Sequence, residues 1–424
     1  MPLLPTVNGS DRRALAGDDE EPQASARAAV RRLAASMSSV APLVNALDAP
    51  VRVAVSGPGA PAGAGLTLGE LGDEIQALLD RLADGATARR IVLHRDAAPL
   101  SAFELIVSDR LALASMLELP PDVLRALRMV VDDVALGTRA HGVEGALEHR
   151  ELQSWDGSRL RVYADGSSDR KAVVLVQACG MPIGLCEPWM RRLAQEFRVI
   201  TWESRGLFGA MGTADEFDAR AHDVSAQARD MLAVMDHFGV ERAHATALCG
   251  GAVIALAAAA TAPERISSLS LWHGDYELGE DAPKTQHQRD VQTLMTMAGR
   301  GRAKAAGLQK MFKRPSVLAQ IRADMAHHVM YPYASGELLY RYGRLNGAIM
   351  DHDCRSLLDR VGQPALVATS HDDHTAHPDG SRYVAGKLRR AELYMGEHGD
   401  HLSLFEAESR LGDLAAAFIA REAN

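Results

Sequence analysis

The chain has 424 residues, 47% of them hydrophobic and 24% charged, which suits a water-soluble globular protein of two domains, or of one large domain with insertions. Its formal net charge of −9 leaves no basic footprint for nucleic acid, and no stretch reaches the apolar length of a membrane span. The opening MPLLPTVNGSDRR lacks a basic segment followed by an apolar core, and the four cysteines include no CxxC pair. A cytoplasmic protein with reduced thiols, and with neither a secretory signal nor a zinc site, is therefore the expectation.

Residues 1–22 are polar, carry the acidic run GDDEE and are expected to be disordered. Residues 24–47 have helical periodicity, and VRVAVS (51–56) reads as a strand. SGPGAPAGAG (56–65) reads as a flexible loop, because its prolines and the missing GK[ST] exclude a phosphate-binding loop. Thr67 and Glu70 have capping-box spacing and open a helix with Leu71, Ile75, Leu78, Leu79 and Leu82 on its apolar side. A strand at 91–94 and helices over 101–117 and 121–136 complete an N-terminal α/β or helical domain, 23–148, with no catalytic motif.

The pattern changes near residue 148. HRELQSWDGSRLRVYADG (149–166) has two alternating runs around Asp-Gly, as in a hairpin. KAVVLVQA is a continuous apolar strand of the kind buried on both faces of a parallel sheet. Helix and strand then alternate through PWMRRLAQEF, RVITWES, DVSAQARDMLAVMDHFG, AHATAL, GGAVIALAAAATAP and ISSLSLWHG, which implies βαβ units. A helical, Met-rich segment at 277–360 interrupts the alternation before PALVATS, AELYMGE and LGDLAAAFIAREA resume it.

Several of these segments together resemble the α/β-hydrolase superfamily over residues 150–424. FRVITWESRGLFG is similar to a strand and turn with an Arg-Gly pair, here Arg205-Gly206. MLAVMDHFGVERAHATALCGGAVIALAAAATAPERISSLSLW follows the family's helix, nucleophile strand, elbow, helix and Pro-Glu-Arg turn. The resemblance implies a mostly parallel sheet, a hydrolase core at 149–276 and 361–424, and a helical cap at 277–360. In ALCGGAV, Cys249 stands where the G-x-S-x-G elbow has its serine, with Ala247 and Gly251 as the flanking small residues. The start of a helix favours a thiolate there. The plain alternative is a buried structural cysteine in a fold without chemistry.

By the same resemblance the base is His401, five residues before Glu406 in GEHGDHLSLFE, with His398 as the second choice and Asp400 in place of the usual glycine. Two acids stay open. Asp373, in PALVATSHDDH, matches the family's strand-and-loop acid beside Asp372, and Asp275, in LWHGDYEL, matches the position some members use. QACGMP resembles the oxyanion turn, so the amides of Met181 and Gly250 would face the oxyanion and Cys179 would line the pocket. His327 and His328 are candidate substrate contacts without metal-site spacing, and Met295, Met297, Met311, Met325 and Met330 suggest an apolar cap lining.

A thiol of pKa about 8.5 is only a few per cent thiolate at neutral pH, and a histidine–aspartate pair would raise that fraction. Exchange of one thioester for another is nearly thermoneutral, whereas an amine leaves poorly. Cysteine therefore points to acyl thioesters on coenzyme A or on an acyl or peptidyl carrier protein, with no cofactor. The elbow and Asp275 also resemble Cys-His-Asp thioesterases, acyltransferases and Dieckmann-type cyclases of polyketide and peptide biosynthesis. Ester, lactone or carbon–carbon bond hydrolysis and a non-catalytic binding protein are the alternatives. The N-terminal domain could dock a carrier protein, mediate dimerisation or cover the pocket.

Overall fold

A computed structural model describes residues 11–55, 68–83, 87, 89–95, 97–141, 147–208, 211–406 and 410–422. They group into two compact units. One takes the chain up to Ala146 together with Lys313–His327, and the other takes Leu147–Phe312 and His328 onward.

In the first unit, α1 (Asp11–Ala46) buries Val30, Leu33, Met37, Val40 and Val44 along one helical stripe. It packs chiefly on α5 (Pro121–His141), whose Val123, Leu127, Val130 and Val134 form the matching stripe. Because α1 begins at Asp11, residues 11–22 are helical rather than disordered. Residues 1–10, the glycine-rich loop and the Thr67 cap lie outside the described residues. Strands β1 (Val51–Val53) and β2 (Ile91–Leu93) pair in parallel and accompany α2 (Leu68–Leu82). The helix expected over 101–117 is split into α3 (Ala102–Leu111) and α4 (Ala114–Leu117), because Ala112 takes φ 47 and ends the first.

The second unit is built on an eight-stranded sheet of order β10-β9-β8-β7-β5-β6-β4-β3. Its strands are β3 (Glu148–Gln153), β4 (Arg159–Asp165), β5 (Ala172–Val176), β6 (Arg198–Trp202), β7 (Ala243–Leu248), β8 (Ile266–Trp272), β9 (Ala365–Ser370) and β10 (Ala391–Gly396). Only the β3–β4 and β4–β6 pairings are antiparallel. The crossovers are α6 (Glu187–Ala194), α8 (Val224–His237), α9 (Gly251–Thr261), α15 (Pro378–Lys387) and, after β10, α16 (Leu411–Glu422), with the short α7 (Ala214–Asp218) between β6 and α8. Helices on both faces explain why β7 and β9 are buried along their whole length, polar His244, Thr246, Thr369 and Ser370 included. Arg205, after β6, is buried; its Nε donates to Asp230 Oδ2 at 2.6 Å and its Nη1 to Asp156 Oδ2 at 2.8 Å, so this interior charge is fully paired.

Between β8 and β9 lie α10 (Gln286–Gly299), α11 (Arg302–Gln309), α12 (Ala326–Val329), α13 (Gly336–Met350) and α14 (Arg355–Leu358). The insertion is not one cap, since Lys313–His327 belongs to the first unit. Nor do its methionines form a lining. Met295 is wholly buried against α13 beside Gly343 and Gly347, Met330 is buried, Met297 is half-buried and Met311 is 55% exposed, while Met325 lies in the first unit.

Candidate active site

Cys249 sits between β7 and α9 with φ 52, a left-handed conformation that a non-glycine residue adopts only under constraint. Two features hold it there. Its N–H donates to Trp272 O of the neighbouring strand at 3.0 Å. At Gly251, a Cβ would come within 2.6 Å of the carbonyl oxygens of Val176 and Gln177, so α9 can start against the end of β5 only with glycine at that position. Cys249 is half-buried at the mouth of this turn.

His401 begins the 3-10 turn His401–Phe405, and Asp400, the residue in the usual glycine's place, caps that turn by accepting from Ser403 N at 2.9 Å. The buried His401 ring donates from Nδ1 to Asp373 Oδ2 at 3.1 Å and lies within hydrogen-bonding reach of Cys249. Burial alone would disfavour the imidazolium, but Cys249 and Asp373 flank it and raise its pKa well above the usual histidine range. Asp373, after β9, is buried. Burial would raise its pKa, yet the two histidine contacts hold it below the usual carboxylate range. Its Oδ1 accepts from the N–H groups of Thr375 and Ala376 at 2.9 and 2.8 Å, which fixes the carboxylate plane. The alternative pair lies at the surface, where the His398 side chain is 92% exposed and meets Asp372 at 3.3 Å.

The structure adds a residue to which the sequence motifs assign no role. His273, the first residue after β8, is buried, takes φ 46 and donates from Nδ1 to the same Asp373 Oδ2 at 2.8 Å. The two imidazoles meet edge to face with centroids 5.7 Å apart. His273, Asp373 and His401 also have their ligand atoms within 4.8 Å of one another, a donor set that would suit a transition metal. A cation there would take the place of the Nδ1 protons that both rings give to Asp373.

Asp275 makes no hydrogen bond to His401. Its Oδ1 accepts from Gln288 Nε2 at 2.7 Å, and burial pushes its pKa up against the opposing influence of Gln288, His401 and His287. At the oxyanion turn Gly180 takes φ 75 and donates to Ser204 Oγ at 2.9 Å, while Met181 N is turned back onto Ala178 O at 3.3 Å, so its amide is already engaged. Gly250 is the N-cap of α9. Cys179 is buried, with its thiol pushed up to about 12 chiefly by burial, and its sulfur lies 3.9 Å from Ser204 Oγ. The elbow is roofed by one face of α13: Ile349 Cγ2 lies 3.3 Å and Asn346 Oδ1 3.7 Å from where a Cβ on Gly250 would be. Tyr342, four residues before Asn346, covers Gly180 in the same way at 2.6 Å. His328 lies against Gly184, whereas His327 belongs to the first unit and bonds Ser39 Oγ at 2.5 Å.

Residues 171–307 match the family model for the alpha/beta hydrolase fold. A protein named carbamate hydrolase RutD, from Caulobacter sp. (strain K31), is 26% identical over 274 residues, which cover 63% of this chain and 97% of that relative. Among solved structures, a hydrolase from Pseudomonas aeruginosa PA01 is 21% identical with a TM-score of 0.51, covering 64% of this chain and 98% of that one. The haloalkane dehalogenase DbeA from Bradyrhizobium elkani USDA94 is 17% identical with a TM-score of 0.53, covering 65% and 99%. At that identity the structural likeness speaks for the fold alone. With the sheet order, the elbow and these matches together, the chain carries the α/β-hydrolase fold.

Proposed function

We propose that Cys249, His401 and Asp373 act as a nucleophilic triad that processes acyl thioesters through an S-acyl enzyme. The observation that carries this reading is the continuous contact from Asp373 Oδ2 through the His401 ring to a cysteine held at a strained strand-to-helix turn. In acylation the Cys249 sulfur attacks the thioester carbonyl, and the carbonyl π electrons move onto oxygen. When the tetrahedral adduct collapses, the C–S bond to the leaving group breaks and His401 gives that thiolate the proton taken from Cys249. In the second half His401 takes a proton from the acceptor, which attacks the S-acyl carbonyl and returns Cys249 as the leaving group. The acceptor is water, an external alcohol or amine, or a nucleophile within the acyl chain. Gly250 N–H, at the positive end of α9, receives the oxyanion in this reading, which the helix N-terminus supports. A carrier-protein or coenzyme A thioester supplies the acyl group.

Intact-protein mass spectrometry with a panel of acyl-pantetheine thioesters tests the reading. An acyl adduct on the wild type that Cys249→Ala does not form is expected. No adduct, together with unchanged turnover in Cys249→Ala, would overturn it.

A second reading draws on the relative named carbamate hydrolase, which the chain covers almost entirely. Turnover of carbamates, simple esters or lactones with none of any thioester would favour it.

A further inference from the structure

We infer that Asn346, on the roof helix α13, is the second donor of the oxyanion hole and binds the carbonyl oxygen under attack through its side-chain amide. The inference rests on Cys249 as the nucleophile and holds for any acyl group that Cys249 attacks.

The site is short of a donor. In this fold the charge on the attacked carbonyl oxygen is met by two N–H groups, one from the residue after the nucleophile and one from the turn after β5. On the elbow side, Gly250 N–H makes no hydrogen bond among the described residues. On the other side, Gly180 N donates to Ser204 Oγ at 2.9 Å and Met181 N to Ala178 O at 3.3 Å, so both are engaged. One backbone amide is left where the chemistry uses two donors.

Helix α13 lies over both halves of the gap. Its residues 342, 346 and 349 share one helical face. Tyr342 covers the β5 turn, its ring 2.6 Å from where a Cβ on Gly180 would be. Ile349 covers the elbow, its Cγ2 3.3 Å from where a Cβ on Gly250 would be. Asn346 stands between them, about one turn from each, with Oδ1 3.7 Å from that same Gly250 position. The atoms nearest to a Cβ on Gly250 all belong to Ile349 and Asn346, so a side chain at 250 would press on this face. Glycine there lets the amide of Asn346 come down onto the elbow.

The amide itself is uncommitted. Asn346 is half-buried in the interior of a helix, where asparagine is a poor helix former. Among the described residues its side chain makes one hydrogen bond, from Nδ2 to the thioether sulfur of Met350 at 3.5 Å, and a thioether is a weak acceptor. The terminal torsion of asparagine is soft and two-fold. Turning the amide over therefore puts Nδ2 in the place of Oδ1, facing the elbow, at the loss of that contact alone. Its N–H then joins Gly250 N–H on the oxyanion, and no proton changes hands.

The test pairs a reacting ligand with an unreactive one. A trifluoromethyl ketone on a pantetheine arm takes the Cys249 sulfur onto its carbonyl carbon and leaves a charged oxygen in the hole. The matched S-alkyl pantetheine thioether has no carbonyl and reports ground-state binding. Asn346→Ala is expected to weaken the ketone by about a hundredfold or more and to lower kcat by a similar factor, with KM and thioether affinity nearly unchanged. Asn346→Asp, which keeps the shape and loses the N–H donor, should fall at least as far. Comparing the two ligands within each variant cancels a general loss of folded protein. Equal weakening of both ligands, a rise in KM with kcat intact, or an Asp variant as active as the wild type would overturn the assignment. Where only esters or carbamates turn over, the split between kcat and KM on those substrates decides. A wild type that forms no ketone adduct and turns over none of these substrates would overturn the triad reading, and Asn346 with it. A ketone adduct that Cys249→Ala abolishes but Asn346→Ala leaves equally tight would overturn Asn346 alone.

Discussion

At the scale of single residues the centre is a competition for one oxygen. Asp373 Oδ2 accepts from both His273 and His401, so His273 draws off negative charge that would otherwise stabilise the His401 imidazolium. Replacing His273 by Ala should therefore move the His401 titration further up. Cys249→Ala should move it down, because Cys249 is the foremost of the neighbours that raise it. The measurement is the 13Cε1 shift of labelled histidine followed against pH, and shifts of the same sign in both variants would contradict this account. A positioning role for His273 also predicts that the pH profile of kcat/KM moves with the imidazole. A purely structural role would lower the rate without moving it. Asp373→Asn leaves a shape that His401 can still meet but removes the charge and the tautomer control, and a loss of about 10³- to 10⁴-fold in kcat/KM is expected.

At the scale of elements, α10 reaches the residues around the site through its first turn. Thr285 caps the helix by accepting from Gln288 N at 3.0 Å, and Gln288 returns the bond to Thr285 N while also holding Asp275 and His377 N. Thr285→Ala removes one hydroxyl of that box and should cost about 1 kcal/mol. Gln288→Ala empties three contacts in a buried place and should cost about 2–3 kcal/mol. Urea denaturation checks the order, and equal losses would mean that the Asp275 and His377 bonds add nothing to the cap. This turn also marks what could be read from the chain. The strands, the elbow and the helices around it are legible because apolar period and small residues at 247 and 251 are properties of sequence spacing. The choice between Asp373 and Asp275 is not, because both follow a strand and only the direction of each side chain separates them. His273 left one trace, a histidine directly after a buried strand in LWHGD, but its role depends on a φ of 46 that no spacing records.

At the scale of the whole molecule the unexpected feature is the route of the chain, which leaves the hydrolase unit after Phe312, contributes Lys313–His327 to the N-terminal unit and returns at His328. A Met- and His-containing helical stretch does not announce which core it joins. Within the first unit the 3-10 turn Pro315–Gln320 packs on α3, and His327 Nε2 meets Ser39 Oγ of α1. Burial, with the Arg110 charge, depresses His327 to about 4, so the ring is neutral when packed. The unfolded value is about 6.5, and the stability from this group is therefore complete above that pH and is lost as pH falls through the folded value. Hydrogen exchange of 313–327 and of α1 around Ser39, corrected for intrinsic rates, should rise as pH falls from about 6.5 towards 4. His327→Gln should flatten that rise while leaving the acid response of the other unit, where His222 and His244 are also held neutral by burial, as it was. Exchange in 313–327 that ignores pH in the wild type would mean that apolar packing alone retains the segment. A response that survives His327→Gln would place the titrating group elsewhere in the first unit.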